Sequence, residues 1–264
     1  MQFKNQNSSL TYHPDLGWLV SWLMIDGQEI LYCDQSSLTS SSIRWWIPTI
    51  LPNPGVGNGI LPRHGIARTA QFSISPDKGR WSKTGGVWVN ILTLTLDRNP
   101  TTITTEQYQI FPYDFVYHLD YQLINNSCII TQQVTNPSSD HNLPMGIWLH
   151  PYFPTPNSIQ QIQHGIESPF SGICCCSDMT IDHHNDDTAV LINPWTLVLD
   201  YDNYELYITY SDWYRWVWLR TPPGHDALCV EPVTHDVWVY FTDPLMIAPW
   251  DKISTSMQLF FVRK

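Results

Sequence analysis

The segment DFVYHLDYQLINNSCIITQQVTN, residues 114–136, has the two-residue periodicity of β-structure. Large apolar side chains occupy alternate positions, at Phe115, Tyr117, Leu119, Tyr121 and Leu123, and the residues between them are mostly polar. Successive side chains of a strand point to opposite faces of its sheet. The alternation therefore predicts a strand with one buried face.

Comparable runs of β-branched and aromatic residues occur along the rest of the chain, at 10–32, 87–99, 188–194, 204–212, 215–222, 227–233 and 257–264. Gly, Pro, Asn and Asp interrupt them every ten residues or so, which is typical of strands joined by turns. No segment sustains helical periodicity for long, and the 20 prolines would interrupt one that did. The sequence predicts an all-β chain that begins with an antiparallel meander.

Two longer stretches, Ser36–Arg68 and Pro151–Asp187, are expected to be irregular. Loops of this length in a compact domain tend to carry function. No repeat, low-complexity tract or linker divides the chain. We therefore expect a single β-sandwich domain over residues 1–264, with long loops across one face.

Composition narrows the possible functions. The chain has 13 Lys and Arg against 24 Asp and Glu, a net charge of −11, and no basic stripe that could bind a nucleic-acid backbone. No apolar window approaches the length of a membrane span, and the N-terminus lacks the apolar core of a signal peptide. Three of the six cysteines are consecutive, so reduced thiols are expected. These features predict a cytoplasmic protein with neither a nucleic-acid nor a membrane partner; its oligomeric state stays open.

Three motifs carry candidate chemistry. LPRHGIAR (61–68) holds His64 and Arg68, GIWLHPYFP (146–154) holds His150, and ALCVEPVTHD (227–236) holds Glu231. Each has a structural alternative: a loop histidine, a packed histidine and a carboxylate that caps a turn. An acid inside an apolar run is nevertheless costly unless it is paired or functional. A partly desolvated carboxylate can have a raised pKa suited to a general base, and a histidine can shuttle protons near neutral pH.

The segment CCCSDMTIDHH (174–184) suggests a zinc site, but this hypothesis has less support than the three motifs above. Cys174, Cys176, His183 and His184 are possible ligands, but their spacing matches no closed zinc site. The sequence predicts no metal and no cofactor.

The 13 tryptophans have two possible roles, since indole rings pack in cores and also stack on the apolar faces of sugars. Trp216 and Trp218 alternate within one strand, so core packing on a shared face is expected for them. Trp45, Trp46 and Tyr152 lie beside the candidate site residues, where sugar stacking and packing both remain open.

The three motifs, in this order on a β-rich chain, resemble the aldose 1-epimerase, or galactose mutarotase-like, superfamily. The resemblance covers most of the chain, through LVSWLMIDGQEILY (19–32), IRWWIP (43–48), LPRHGIAR, TEQYQIFPYDF (105–115), LHPYFP (149–154) and CVEP (229–232). IRWWIP and LPRHGIAR are most similar to the glucose-6-phosphate 1-epimerase branch, in which an Arg followed by two glycines is usual. Trp45 and Trp46 stand here in place of those glycines.

The resemblance implies a galactose mutarotase-like β-supersandwich with a sugar in an open cleft. By motif, Glu231 is similar to the catalytic base at the anomeric O1, His150 to the general acid at the ring O5, and His64 to a second histidine on the ring-oxygen side. Arg68 and Arg44 match positions that bind substrate hydroxyls or phosphate.

An Asp between the histidine and glutamate motifs also holds sugar hydroxyls in that superfamily. Asp182 and Asp187 both fit this position, and the sequence does not choose between them.

The implied activity is interconversion of the α and β anomers of a hexose or hexose 6-phosphate. It needs a proton removed from O1 and one delivered to O5, which a Glu and His pair can provide. The alternative is a carbohydrate-binding protein without activity on the same fold.

Overall fold

In the computed structural model, the described residues are 2–4, 7–13, 19–32, 47–53, 61–67, 70, 72–74, 82–84, 87–98, 105–164, 173–179, 188–192, 196–235 and 243–264. Within them the chain forms one short helix, α1 (Thr105–Ile110), and strands β1 (Gln2–Lys4), β2 (Ser8–His13), β3 (Leu19–Ile25), β4 (Gln28–Glu29), β5 (Thr49–Ile50), β6 (Ser73–Ile74), β7 (Ser82–Thr84), β8 (Val87–Arg98), β9 (Phe115–Ile124), β10 (Ser127–Thr135), β11 (Leu143–Met145), β12 (Trp148–Leu149), β13 (Tyr152–Pro154), β14 (Ser158–His164), β15 (Ile173–Met179), β16 (Thr188–Ile192), β17 (Thr196–Asp200), β18 (Tyr204–Tyr210), β19 (Trp216–Arg220), β20 (Ala227–Val233), β21 (Leu245–Ile247) and β22 (Lys252–Arg263).

The strands form two large antiparallel sheets and two small ones. The larger sheet has ten strands in the order β15-β14-β17-β18-β22-β10-β9-β8-β6, with β7 paired to β8. The second has six, in the order β16-β19-β20-β12-β5, with β13 paired to β20. A meander, β1-β2-β3-β4, and a pair, β11-β21, complete the arrangement. The prediction of an all-β chain with an N-terminal meander is confirmed.

The alternation in β9 gives the expected buried face. Its five large apolar side chains, from Phe115 to Leu123, are fully buried in the main core, and the residues between them are half-buried. The six-stranded sheet contributes Val217 and Leu219 from β19, and Leu228 and Val230 from β20, to the same core cluster. The main core therefore covers one face of the six-stranded sheet, and the side chains of the intervening positions point to its other face.

The expectation that Pro151–Asp187 is irregular was wrong, because three strands, β13, β14 and β15, lie within it. Ser158–His164 has only two apolar residues among seven and no clear apolar face. It is a strand because its backbone pairs with β15 on one side and β17 on the other. The triple cysteine lies on β15.

Part of the other stretch expected to be irregular is also ordered by pairing. Thr49 and Ile50 form β5, which pairs with β12 at the edge of the six-stranded sheet. Leu51 then forms a parallel bridge with Gly65. No helix in the described part of the chain has the length and apolar composition needed to cross a membrane.

Candidate active site

Strand β20 carries Glu231 on the face of the six-stranded sheet that lies opposite the main core. Every residue of this strand is buried, and Leu228 and Val230 fill the core. Cys229 and Glu231 alternate with them and so point to the other face. On the neighbouring strand β19, Arg220 lies opposite Cys229 and Trp218 lies opposite Glu231. Directly opposed residues share a face, so all four side chains belong to one surface.

His150 reaches this surface because both of its flanking segments pair with β20. Trp148 lies opposite Val233, and Tyr152 lies opposite Cys229. Between them, the Val230 N–H donates to the Pro151 carbonyl at 3.0 Å. The His150 ring stacks on the Tyr152 ring, with centroids 4.9 Å apart and planes 28° from parallel. Its backbone and its ring face are thus both fixed.

His64 is delivered by a tight loop that packs on the end of β5. Gly65 has φ +73°, and a Cβ there would lie 2.0 Å from the Leu51 carbonyl oxygen, so only glycine fits. That carbonyl accepts the Ile66 N–H at 2.9 Å. His64 itself has φ +65°, a backbone conformation that residues other than glycine rarely adopt and that costs about 1–3 kcal/mol. The Leu51–Gly65 bridge and the hydrogen bond from Ile66 to Leu51 hold the His64 backbone in this conformation.

The three motif residues meet at the surface of the six-stranded sheet. His150 Nε2 lies 3.2 Å from Glu231 Oε1. The His64 ring meets the His150 ring edge-on, with centroids 5.6 Å apart. His64, His150 and Glu231 are 8%, 8% and 7% exposed, so each group is nearly desolvated.

Cys229 adds a thiol to this group, and the thiol contacts both partners of the His150–Glu231 pair. Its Sγ lies 2.9 Å from His150 Nδ1 and donates to Glu231 Oε1 at 3.4 Å. The residue is fully buried and is a free thiol. Burial, and the adjacent carboxyl of Glu231, raise the pKa of the Cys229 thiol well above its ordinary value. At neutral pH it is therefore a protonated hydrogen-bonding group and not a nucleophile.

Burial also controls Glu231, whose pKa it raises to about 7 from an ordinary 4.5. The thiol of Cys229 and the charges of Arg220 and Arg63 oppose this effect by stabilising the carboxylate, and they hold the pKa of Glu231 within reach of neutral pH. A carboxyl in this range can both take up and release a proton under physiological conditions.

A metal ion has one possible site among the described residues. The side chains of His150, Cys229 and Glu231 offer one nitrogen, one sulfur and one oxygen within 4.8 Å of one another. This donor set suits Zn²⁺ and leaves an open position. Any such ion would occupy the atoms that form the acid-base pair.

Trp216 and Trp218 of β19 share a face, as predicted, but the main core lies on the opposite face of the sheet, where Val217 and Leu219 contribute to it. Trp216 and Trp218 are half-buried and pack against a smaller cluster of Ile50, Trp148 and Val233. Within the described part of the molecule, the indole N–H groups of Trp148 and Trp218 have no hydrogen-bond acceptor. Both indoles lie on the sheet face that carries Glu231, since Trp148 is opposite Val233 and Trp218 is opposite Glu231.

Several predicted site residues lie outside the described residues, namely Arg44, Trp45, Trp46, Arg68, Asp182 and Asp187. The same holds for His183 and His184 of the possible zinc motif. The structure brings together His64, His150, Tyr152 and Glu231.

Sequence reasoning missed Cys229, Arg220, Trp218 and Arg63. Cys229 could have been found, since it stands two residues before Glu231 in a strand and must share its face. Arg63 adjoins His64 and donates from Nε to His64 Nε2 at 3.2 Å. Arg220 and Trp218 depend on the register between β19 and β20, which no local pattern sets.

Several solved structures resemble the chain over almost its whole length. A protein from Synechocystis sp. PCC 6803 is 22% identical with a TM-score of 0.80, covering 100% of this chain and 95% of that one. A galactose mutarotase-like protein from Clostridium acetobutylicum is 14% identical with a TM-score of 0.76, covering 100% and 95%. Galactose 1-epimerase from Lactobacillus acidophilus NCFM is 13% identical with a TM-score of 0.64, covering 99% and 93%.

No protein-family model and no curated protein matches the sequence. The likeness is thus one of architecture. The chain has the galactose mutarotase-like fold.

Proposed function

We propose that the protein is an aldose 1-epimerase that interconverts the α and β anomers of a hexose or hexose 6-phosphate. The observation that carries the proposal is the contact between a nearly buried carboxyl, whose pKa burial raises to about 7, and an imidazole nitrogen 3.2 Å away. The names of structural neighbours, among them a galactose 1-epimerase, support the same reaction class.

The spacing of the pair suits the chemistry of a pyranose. O1 and O5 are both bonded to C1, so a base at O1 and an acid at O5 must lie within a few ångströms of each other. Glu231 Oε1 and His150 Nε2 satisfy this requirement. Each well-placed proton transfer contributes about 10²–10⁴-fold to the rate.

The reaction follows from this arrangement. The Glu231 carboxylate takes the O1 proton while His150 delivers a proton from Nε2 to O5; the C1–O5 bond breaks and C1=O1 forms. Rotation about C1–C2 presents the other face of the aldehyde. The O5 hydroxyl then adds to C1, its proton returns to His150, and Glu231 returns its proton to O1. No atom changes oxidation state, so two proton carriers suffice.

The remaining assignments follow the family resemblance. His64 would support the ring-oxygen side, next to His150, and Arg44 and Arg68 would bind hydroxyls or phosphate. Arg63 and Arg220 add positive charge close enough to lower the pKa of Glu231, which favours a substrate with an anionic substituent. Either Asp182 or Asp187 would complete the hydroxyl contacts. A cytoplasmic location stays a prediction.

The test is the rate of anomer exchange with the purified protein, followed by polarimetry or sugar NMR, on glucose, galactose and glucose 6-phosphate. We expect exchange well above the spontaneous rate for at least one sugar. Glu231→Gln and His150→Ala should nearly abolish it, and Glu205→Gln, on the ten-stranded sheet, is the control that also removes one carboxylate.

The outcomes separate the candidate functions. Sugar binding without acceleration would favour the carbohydrate-binding alternative and overturn the enzyme. A folded Glu231→Gln protein with a near-normal rate would remove Glu231 from the reaction. Faster exchange of glucose 6-phosphate than of glucose would indicate that the arginines of the site bind a substrate phosphate.

A further inference from the structure

The sulfur of Cys229 lies between the two proton carriers of the proposed reaction. It is 2.9 Å from His150 Nδ1 and 3.4 Å from Glu231 Oε1, and it is completely buried. We infer that Cys229 is a positioning residue that accepts the Nδ1–H of His150 and donates its own proton to Glu231, so that Nε2 is the only nitrogen that exchanges protons with the substrate. This inference rests on the proposed function.

A count of protons supports the assignment. A thiol has a single proton, and when Glu231 is ionised its carboxylate can only accept, so Cys229 is the donor to Glu231 Oε1. With that proton engaged, the short contact to Nδ1 is a hydrogen bond only if Nδ1 is protonated. The hydrogen bond at one ring nitrogen sets the role of the other. Neutral His150 then has its lone pair on Nε2, the atom 3.2 Å from Glu231.

This tautomer is the one that the reaction requires. His150 begins as an imidazolium and gives up the Nε2 proton to O5. The product is neutral His150 with a proton on Nδ1, which Cys229 already accepts. The Nδ1–H···Sγ contact is therefore the same before and after transfer, and the ring does not have to turn during the cycle.

The thiol also acts on Glu231. Its hydrogen bond is the largest of the influences that lower the pKa of this carboxyl, followed by the charges of Arg220 on β19 and Arg63 on the loop before His64. The rings of Tyr152 and His64 also contact the His150 ring. The Tyr152 side chain also forms a hydrogen bond to the Cys229 thiol, so Cys229→Ala removes that contact as well, and Cys229→Ser is the variant that can keep it.

The alternative is that Cys229 only fills space on the buried strand. Three variants distinguish the two roles. Cys229→Ala removes donor and acceptor, and Cys229→Ser keeps both on a similar side chain. Cys128→Ala is the matched control, because Cys128 is also a buried free thiol but lies in the ten-stranded sheet.

The decisive measurement is ¹⁵N-edited NMR of the His150 ring above pH 8, together with the pH profile of anomer exchange. We expect a protonated Nδ1 in the unmodified protein and in Cys229→Ser, and a shift of the proton toward Nε2 in Cys229→Ala. In Cys229→Ala, kcat should fall about tenfold with KM unchanged, and the acidic limb of the profile should move to higher pH.

A Cys229→Ala protein whose His150 tautomer and acidic limb match those of Cys128→Ala would overturn the inference. Should Cys229→Ala fail to fold, Cys229→Ser decides alone: a tautomer that differs from that of the unmodified protein would also overturn it. If the unmodified protein does not accelerate exchange, the proposed function fails, and the NMR result still reports what Cys229 does to His150.

Discussion

Replacing Glu231 by Gln should remove activity and at the same time stabilise the fold. Burial raises the pKa of Glu231 from 4.5 to about 7, so the folded protein disfavours the ionised carboxylate relative to the unfolded chain. Each pKa unit corresponds to about 1.4 kcal/mol, so ionised Glu231 costs the folded state about 3 kcal/mol. Below pH 4.5 the group is protonated in both states and costs nothing. The cost grows as the pH rises from 4.5 to 7 and is complete above 7.

Gln is neutral at every pH, so Glu231→Gln should exceed the unmodified protein in free energy of unfolding by up to about 3 kcal/mol at pH 8 and match it near pH 4. For a chain of this size that gain corresponds to a rise in Tm of roughly 5 °C. Urea unfolding at pH 4, 6 and 8 measures the difference, and Glu205→Gln corrects for the loss of one negative charge. A Glu231→Gln protein no more stable than the unmodified one at pH 8 would refute the reasoning, since the carboxylate would then be ionised at no cost.

Three further outcomes follow from the structure. The acidic limb of the pH profile of anomer exchange should reach half of the maximum rate at about pH 7, because Glu231 must be ionised to act as a base; a rate that does not rise between pH 5 and 7 would contradict this. Gly65→Ala should lower the free energy of unfolding by about 3 kcal/mol, because its Cβ would meet the Leu51 carbonyl at 2.0 Å. Gly224→Ala, at a similar φ but in open space, should cost only about 1 kcal/mol, and equal losses in chemical denaturation would argue against the steric explanation. EDTA should leave the exchange rate unchanged and added Zn²⁺ should inhibit it, because the metal would occupy the donors of the acid-base pair; activity lost to EDTA and restored by Zn²⁺ would favour a metal-dependent enzyme.

The strands with regular alternation could be predicted from sequence because a single buried face dictates their pattern. In β9, five large apolar residues at every second position leave no other way to bury them together. In β20 the burial of Glu231 was also foreseeable, since apolar residues precede it and Pro232 follows. Strand β14 was missed because backbone pairing with β15 and β17, and not an apolar face, makes it a strand.

The cross-strand neighbours at the site could not be predicted from local sequence patterns either, because they too depend on strand pairing. Arg220 and Trp218 face Cys229 and Glu231 only because of the register of β19 on β20, and a shift of one residue would turn both side chains toward the core. The motif residues His64, His150 and Glu231 could be named singly. Their meeting depends on pairings between segments that are distant in the chain, together with a loop conformation that Gly65 alone permits.

The alternation of β20 also explains how the protein tolerates a destabilising carboxyl at its centre. Leu228 and Val230 are fully buried in the main core, where each contributes about 1.5–3 kcal/mol of apolar burial. Glu231 lies between Val230 and Pro232 on the opposite face, at a cost of about 3 kcal/mol when ionised. Because the two faces of one strand are independent, the core face secures the backbone of β20 within the sheet, and the other face can hold a carboxyl whose environment is tuned for proton transfer. The same strand thus supplies stability with its even-numbered residues and acid-base chemistry with its odd-numbered ones.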